Sequence, residues 1–183
     1  MSAERSKEAA GRAAARLLKD GMRLGLGTGS TAHFFIVAVG EAVRSGLQLQ
    51  AVATSQASAH LAEELGIQLV ELDRRGLDLA VDGADQIDPQ SRLIKGGGGA
   101  HVRERLVAVA ARRFVVVADA GKMVDQLSPA WAPSRTRNSK RMRSSCCGTP
   151  HSRSWYWIIR GVVAHGQRRI GVEVLVELIR MRF

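Results

Sequence analysis

Cysteine is almost absent from this chain, occurring in its 183 residues at Cys146 and Cys147 alone. Adjacent cysteines seldom bridge each other, and the pair lacks metal-ligand spacing, so neither a disulfide framework nor a zinc site is indicated. Long apolar runs are missing too: none approaches the roughly 18 residues a membrane span needs, and the N-terminus has no apolar signal core. We therefore expect a soluble, cytoplasmic protein with no membrane partner. The third scarcity is local. After Asp125 no acidic residue occurs until Glu173.

That gap explains the net charge of +10. Residues 1–130 hold 16 Lys and Arg against 15 Asp and Glu, whereas residues 131–183 hold 11 against 2. The basicity belongs to the tail, so a nucleic-acid partner inferred from the pI would concern that tail and not the segment carrying the chemistry. Trp155-Tyr156-Trp157 among arginines could stack on bases. The surrounding residues 134–169 lack a foldable pattern, however, and patterning returns only at Ile170 to Ile179. We expect residues 131–183 to be poorly ordered and nucleic acid not to be a partner.

The first 130 residues alternate between two periodicities. Helices are predicted from Ser2 to Leu18, with Ser2 as cap, from Ala32 to Val43, from Ser55 to Leu65 and from Ala100 to Arg112. Strands are predicted at Met22–Gly27, Leu47–Ala53, Ile67–Leu72, Leu77–Val81 and Phe114–Ala118. Such alternation implies a doubly wound α/β domain, Rossmann-like, with a mainly parallel sheet flanked by helices. Ligands of such sheets bind beyond the carboxyl ends of the strands. Thr28 to Thr31, Asp82 to Asp85 and Asp119 to Lys122 each follow a predicted strand.

The densest chemistry lies between Asp82 and Glu104. Asp82-Gly83-Ala84-Asp85, Lys95 followed by Gly96-Gly97-Gly98-Gly99, and Glu104 fall within 23 residues. Singly each has a plain explanation: strand-end aspartates form turns, a lysine is a solvated surface charge, four glycines make a linker, and a glutamate favours a helix N-terminus. Together they are the inventory of a proton-transfer site for a small anion, with a backbone cradle and groups to hold an oxyanion. Gly27 to Thr31, turning from a strand into a helix, would add anion-binding N–H groups. Gly27 to Ala32 also fits a loose dinucleotide fingerprint, but Gln48 to Ser55 contains no acidic residue for a ribose, which makes the nucleotide reading weak. The histidines His33, His60, His101, His151 and His165 show no ligand spacing and read as structural or exposed.

Several of these pieces, in order and spacing, resemble the ribose-5-phosphate isomerases of type A. They are Gly25 to Ala32, Thr54-Ser55 before a helix, Val81 to Asp85, Ile94 to Gly98, Arg103-Glu104 and Ala118 to Lys122. The resemblance covers roughly residues 1–130. It implies cofactor-independent interconversion of ribose 5-phosphate and ribulose 5-phosphate, in the non-oxidative branch of the pentose phosphate pathway. By carry-over Glu104 is the general base and works through an enediolate, while Lys95 and the N–H groups of Gly96, Gly97 and Gly98 hold the oxyanion. Asp82 and Asp85 handle hydroxyl protons and ring opening, with Gly83 and Ala84 between them. Thr28, Gly29, Ser30, Thr31 and Lys122 hold substrate, and Lys7 is a weaker candidate for the phosphate. The resemblance also implies a homo-oligomer.

Past Lys122 the family continues into a Pro-Val-Glu-rich strand and a second, small α/β domain. Here Pro133 is followed by Ser134-Arg135-Thr136-Arg137 and nothing later resembles that domain. A reading frame shifted near residues 133–134 would account for the charge change, the loss of acids and the early end. The expected result is an isomerase impaired by its C-terminus, with apolar surface exposed and oligomer contacts removed. A different reading is a non-catalytic sugar-phosphate sensor. Sensors of that kind need a DNA-binding module, for which about 21 residues before the first strand are too few.

Overall fold

The computed structural model describes residues 2–96 and 99–127, together with the backbone of strands at 157–159, 162–165 and 168–176. The elements run α1 (Ala3–Ala15), β1 (Arg23–Leu26), α2 (Ser30–Arg44), β2 (Gln50–Ala53), α3 (Gln56–Glu64), β3 (Gln68–Leu69), β4 (Leu77–Asp82), β5 (Gln86–Ile87), β6 (Leu93–Lys95), α4 (His101–Ala110) and β7 (Ala111–Ala118). A 3-10 turn at Ala120–Lys122 follows, and then β8 (Trp157–Ile159), β9 (Val162–His165) and β10 (Arg168–Val176). The main sheet has the order β3-β2-β1-β4-β7-β10-β9, and in it only the β9–β10 pair is antiparallel. The doubly wound, mainly parallel α/β fold expected from the sequence is the fold observed.

Each side of the sheet has its own core. Along β7, Val115 and Val117 face one cluster with Leu24, Leu26, Phe35, Ile36 and Val39, under α1, α2 and α3. Phe114, Val116 and Ala118 alternate to the other side, with Val107 and Ala108 of α4. The period of two therefore reports burial on both faces, which is why β7 reads as a near-continuous apolar run. Val102 and Leu106, one turn apart on α4, are the exposed large apolar side chains among the described residues.

The helix ends follow local rules. Ser2 caps α1 by accepting from Arg5 N–H, and the Ser55 hydroxyl accepts from Ser58 N–H at the start of α3. Several boundaries differ from those expected: α1 stops at Ala15 and not Leu18, β2 starts at Gln50 and not Leu47, β3 ends at Leu69 and not Leu72, and two further differences have a clear cause. α2 begins at Ser30, with Gly29 as its cap, so Ser30 and Thr31 already belong to the helix. α4 stops at Ala110 and β7 starts at Ala111, because Ala111 pairs with Leu77 and sheet pairing overrides helical periodicity.

The β5–β6 hairpin was not predicted at all. Its strands are two and three residues long, too short for a period of two to register. Its turn is organised by Asp88, 1% exposed, whose Oδ1 accepts from Gln90 N–H (3.0 Å) and Arg92 N–H (2.8 Å) while Oδ2 pairs with the Arg92 guanidinium. β6 also pairs with β8 in a separate three-stranded sheet, with Lys95 opposite Trp157. Replacing Asp88 with Ala strands two N–H groups and should cost about 1–3 kcal/mol. Urea unfolding of the two proteins measures it, and an unchanged midpoint would show that the turn stands without the carboxylate.

Candidate functional site

The sheet order fixes where the site must be. From β1 the chain winds outward through β2 to β3, then returns to place β4 on the other side of β1, so β1 and β4 flank the point where the winding reverses. Beyond their carboxyl ends lie the Gly27–Thr31 turn and the Asp82–Asp85 turn. The two touch: Gly27 N–H donates to Val81 O at 2.9 Å. A Cβ on Gly27 would fall 2.4 Å from Asp82 Cγ and Oδ1, so only glycine permits this approach.

Three buried charges form the centre. Lys95 Nζ, at the end of β6, is 2.9 Å from Asp82 Oδ1 and 3.3 Å from Glu104 Oε1, and each of the three residues is 2–3% exposed. Asp82 Oδ1 also accepts from Thr28 N–H (3.0 Å) and Gly83 N–H (2.7 Å). The other carboxylate oxygens, Asp82 Oδ2 and Glu104 Oε2, are buried without a hydrogen-bond partner among the described residues. Such oxygens are costly in a folded protein and are suited to receiving a proton or a donor.

A cavity of about 160 Å³ opens beside this cluster. It is lined by Thr28 and Gly29 from the β1–α2 turn, Ser30 and Thr31 at the start of α2, Gly83, Ala84 and Asp85 after β4, Lys95 at the end of β6 and Gly96 after it, Glu104 on α4, and Lys122 from the 3-10 turn. The structure thus gathers the predicted residues of five separate segments around one space. Asp82 is not among the lining side chains and sits behind Lys95. Lys7, on α1, does not line the cavity either, and Gly97 and Gly98 lie outside the described residues.

Sequence reasoning missed the hydroxyl chain beneath the β1–α2 turn. Thr54, buried, donates to Leu26 O at 3.0 Å and is 2.7 Å from Thr28 Oγ1. With its proton committed to a carbonyl, Thr54 can only accept from Thr28, so the Thr28 hydroxyl is left with lone pairs to offer. Ser58 holds the same turn by donating to Gly27 O at 2.7 Å. In the sequence Asp119 stands out only as part of a motif, whereas in the structure its Oδ1 accepts from Gly121 N–H at 2.9 Å and shapes the turn that presents Lys122. Thr and Ser give no period to read, and only the fold brings them under the turn.

Burial pushes Glu104 above its ordinary value of 4.5, helped by the Asp82 charge and opposed by Lys95. Asp82 is likewise raised, first by burial, against the pull of Lys95. Burial works against the Lys95 ammonium too, but the two carboxylates outweigh it and Lys95 is raised. Among the described residues no group of three or more His, Cys, Asp or Glu side chains could hold a metal ion. The arrangement sets a carboxylate of raised proton affinity, a cation and a helix N-terminus around one small cavity.

Residues 50–133 match the family model of ribose 5-phosphate isomerase A, also called phosphoriboisomerase A. Ribose-5-phosphate isomerase A of Parvibaculum lavamentivorans is 52% identical over 128 residues, covering 69% of this chain and 55% of that protein. Over this N-terminal part the chain is similar to the ribose 5-phosphate isomerase A family. The solved ribose 5-phosphate isomerase A of Methanocaldococcus jannaschii is 43% identical with a TM-score of 0.66, over 69% of this chain and 57% of that one. A D-ribose-5-phosphate isomerase solved in complex with phospho-erythronic acid is 40% identical with a TM-score of 0.67, over the same shares. The chain spans about half the length of the curated family members it matches.

The raised carboxylates make stability depend on pH. Between the ordinary carboxylate value and the raised one, the folded protein holds more protons than the unfolded chain, so stability falls as pH rises through that window. Above it, Glu104→Gln removes one buried charge while Lys95 keeps Asp82. The variant should melt about 2–4 °C higher than the parent at pH 8, with the gap closing toward pH 4. A lower melting temperature at pH 8 would mean that attraction to Lys95 outweighs the burial cost of Glu104.

Proposed function

We propose that this chain binds ribose 5-phosphate and interconverts it with ribulose 5-phosphate, without a cofactor and through an enediolate. The observation that carries this reading is the Lys95 ammonium held between Asp82 and Glu104 at the wall of the cavity. A C–H next to a carbonyl ionises reluctantly, so the base must be positioned and the oxygen that gains charge must meet preorganised donors. The bound phospho-erythronic acid of the solved relative is a sugar-phosphate-like ligand on the same fold, which favours this substrate class here.

Starting from the aldose, the Glu104 carboxylate takes the proton from C2. The C2 electron pair forms the C1–C2 double bond and the C1 carbonyl electrons move to O1, whose charge Lys95 stabilises. Glu104 then returns its proton to C1 as O2 gives up its own to O1, leaving the ketose and a regenerated carboxylate. The raised proton affinity of Glu104 suits both halves, since a base must also be a competent acid on the way back. Asp85, lining the cavity, serves ring opening by moving a proton from the anomeric hydroxyl to the ring oxygen. Asp82 acts from behind, fixing Lys95 and the Thr28 turn.

The phosphate is assigned to the N-terminus of α2, with Ser30 and Thr31 in its first turn, and to Lys122 across the cavity. Thr28, with its proton turned toward Thr54, suits a substrate hydroxyl that donates. The unlike C-terminal part bears on the level of activity, and a chimera carrying a family member's C-terminal half measures its effect.

Glu104→Gln should abolish turnover of ribose 5-phosphate, by about 10³-fold or more, while ribose 5-phosphate still binds within about threefold of the parent affinity. A coupled assay and titration calorimetry give the two numbers. Normal turnover by the purified variant would remove Glu104 from the reaction and overturn the mechanism.

A further inference from the structure

We propose that His101 is a positioning residue that ties Gly96, beside Lys95, to the helix bearing Glu104. The His101 Nδ1 lies 2.9 Å from Gly96 O, which also receives Gly99 N–H at 3.1 Å. A carbonyl oxygen only accepts, so the imidazole proton is assigned to Nδ1. Gly96 has φ of 117°, a left-handed conformation that directs its carbonyl toward α4 and that a side chain would strain.

The helix it meets lacks a conventional anchor. Ala100 stands at the cap of α4 and makes no side-chain capping bond. His101, in the first turn, substitutes a bond that runs backward to a residue lining the cavity. Lys95 precedes Gly96 directly and Glu104 follows His101 by three residues, one turn further on. The bond thus closes a short ring whose far side is the 3.3 Å Lys95–Glu104 contact. Releasing it lets the turn and the helix shift against each other, and displacements of about 1 Å at reacting groups cost up to about 10²-fold in rate.

The inference rests on the reading of Glu104 as base for its kinetic arm, but not for its structural one. His101→Asn places an amide N–H near the position of Nδ1, whereas His101→Gln places it near Nε2 and His101→Ala removes it. With ribose 5-phosphate, the Ala and Gln variants should lose about three- to tenfold in kcat with KM within twofold, and Asn should recover most of the loss. Independently of turnover, ¹⁵N spectra of the parent imidazole should show a protonated Nδ1. Amide exchange at Gly99 should quicken about three- to tenfold in His101→Ala and return toward the parent rate in His101→Asn. Equal exchange in all four proteins, an unprotonated Nδ1, or an Asn variant as poor as Ala would overturn the proposal. If the parent fails to turn over ribose 5-phosphate, the proposed function falls, and the spectra and exchange rates still decide the role of His101.

Discussion

The Lys95 ammonium, buried between Asp82 and Glu104, is the interaction on which the rest of the site depends. A lysine at 3% exposure is tolerated because a carboxylate pairs with it, and a carboxylate is tolerated there because of the lysine. Two negative charges against one positive leave the cluster short of balance, and burial raises both acids. In the proposed reaction that imbalance is what suits the Glu104 carboxylate to act as base. A neutral pair would be more stable and chemically idle.

The same cluster holds the backbone together. Through Asp82 Oδ1 it gathers the β1–α2 turn at Thr28, the β4 turn at Gly83 and the end of β6 at Lys95, and through Glu104 it reaches α4. Gly27 must lack a side chain for Asp82 to come this close. Removing any one member therefore disturbs position and charge together. Asp119, Thr54 and Ser58 work at one remove, each satisfying a backbone or hydroxyl group so that Lys122, Thr28 and Gly27 keep their places. His101 extends this support to the far side of the glycine run.

Much of the fold was legible because its signals are long. β7 with eight residues and α2 with fifteen carry enough period to declare themselves, and the β–α alternation then leaves few topologies. The β5–β6 hairpin was invisible because two-residue strands carry no period, although Asp88 and Arg92 staple it tightly. The start of α2 was misplaced by two residues because Gly29 caps it through backbone geometry, with no side chain to announce it. For the site, the charged and glycine-rich motifs were readable from their types and spacing. The supporting hydroxyls were not, since a threonine at a strand end reads the same whether or not it holds a turn.

The sequence by itself determined which side chains the chain has to work with: Asp82, Asp85 and Lys122 follow predicted strands and Glu104 stands near the start of a predicted helix, hence near one edge of a parallel sheet, with Lys95 between them in sequence. Periodicity settles that much, because alternating elements admit few layouts and such layouts place strand ends together. Tertiary structure decided the roles. It put Lys95 between two carboxylates, set Asp82 behind the cavity and Asp85 at its wall, and turned the Thr28 proton away toward Thr54. It also spanned the gap from Gly96 to α4 with His101. Those outcomes depend on distances of about 3 Å between segments up to 54 residues apart, and on burial that changes what a charge costs. Neither distance nor burial is written in local sequence.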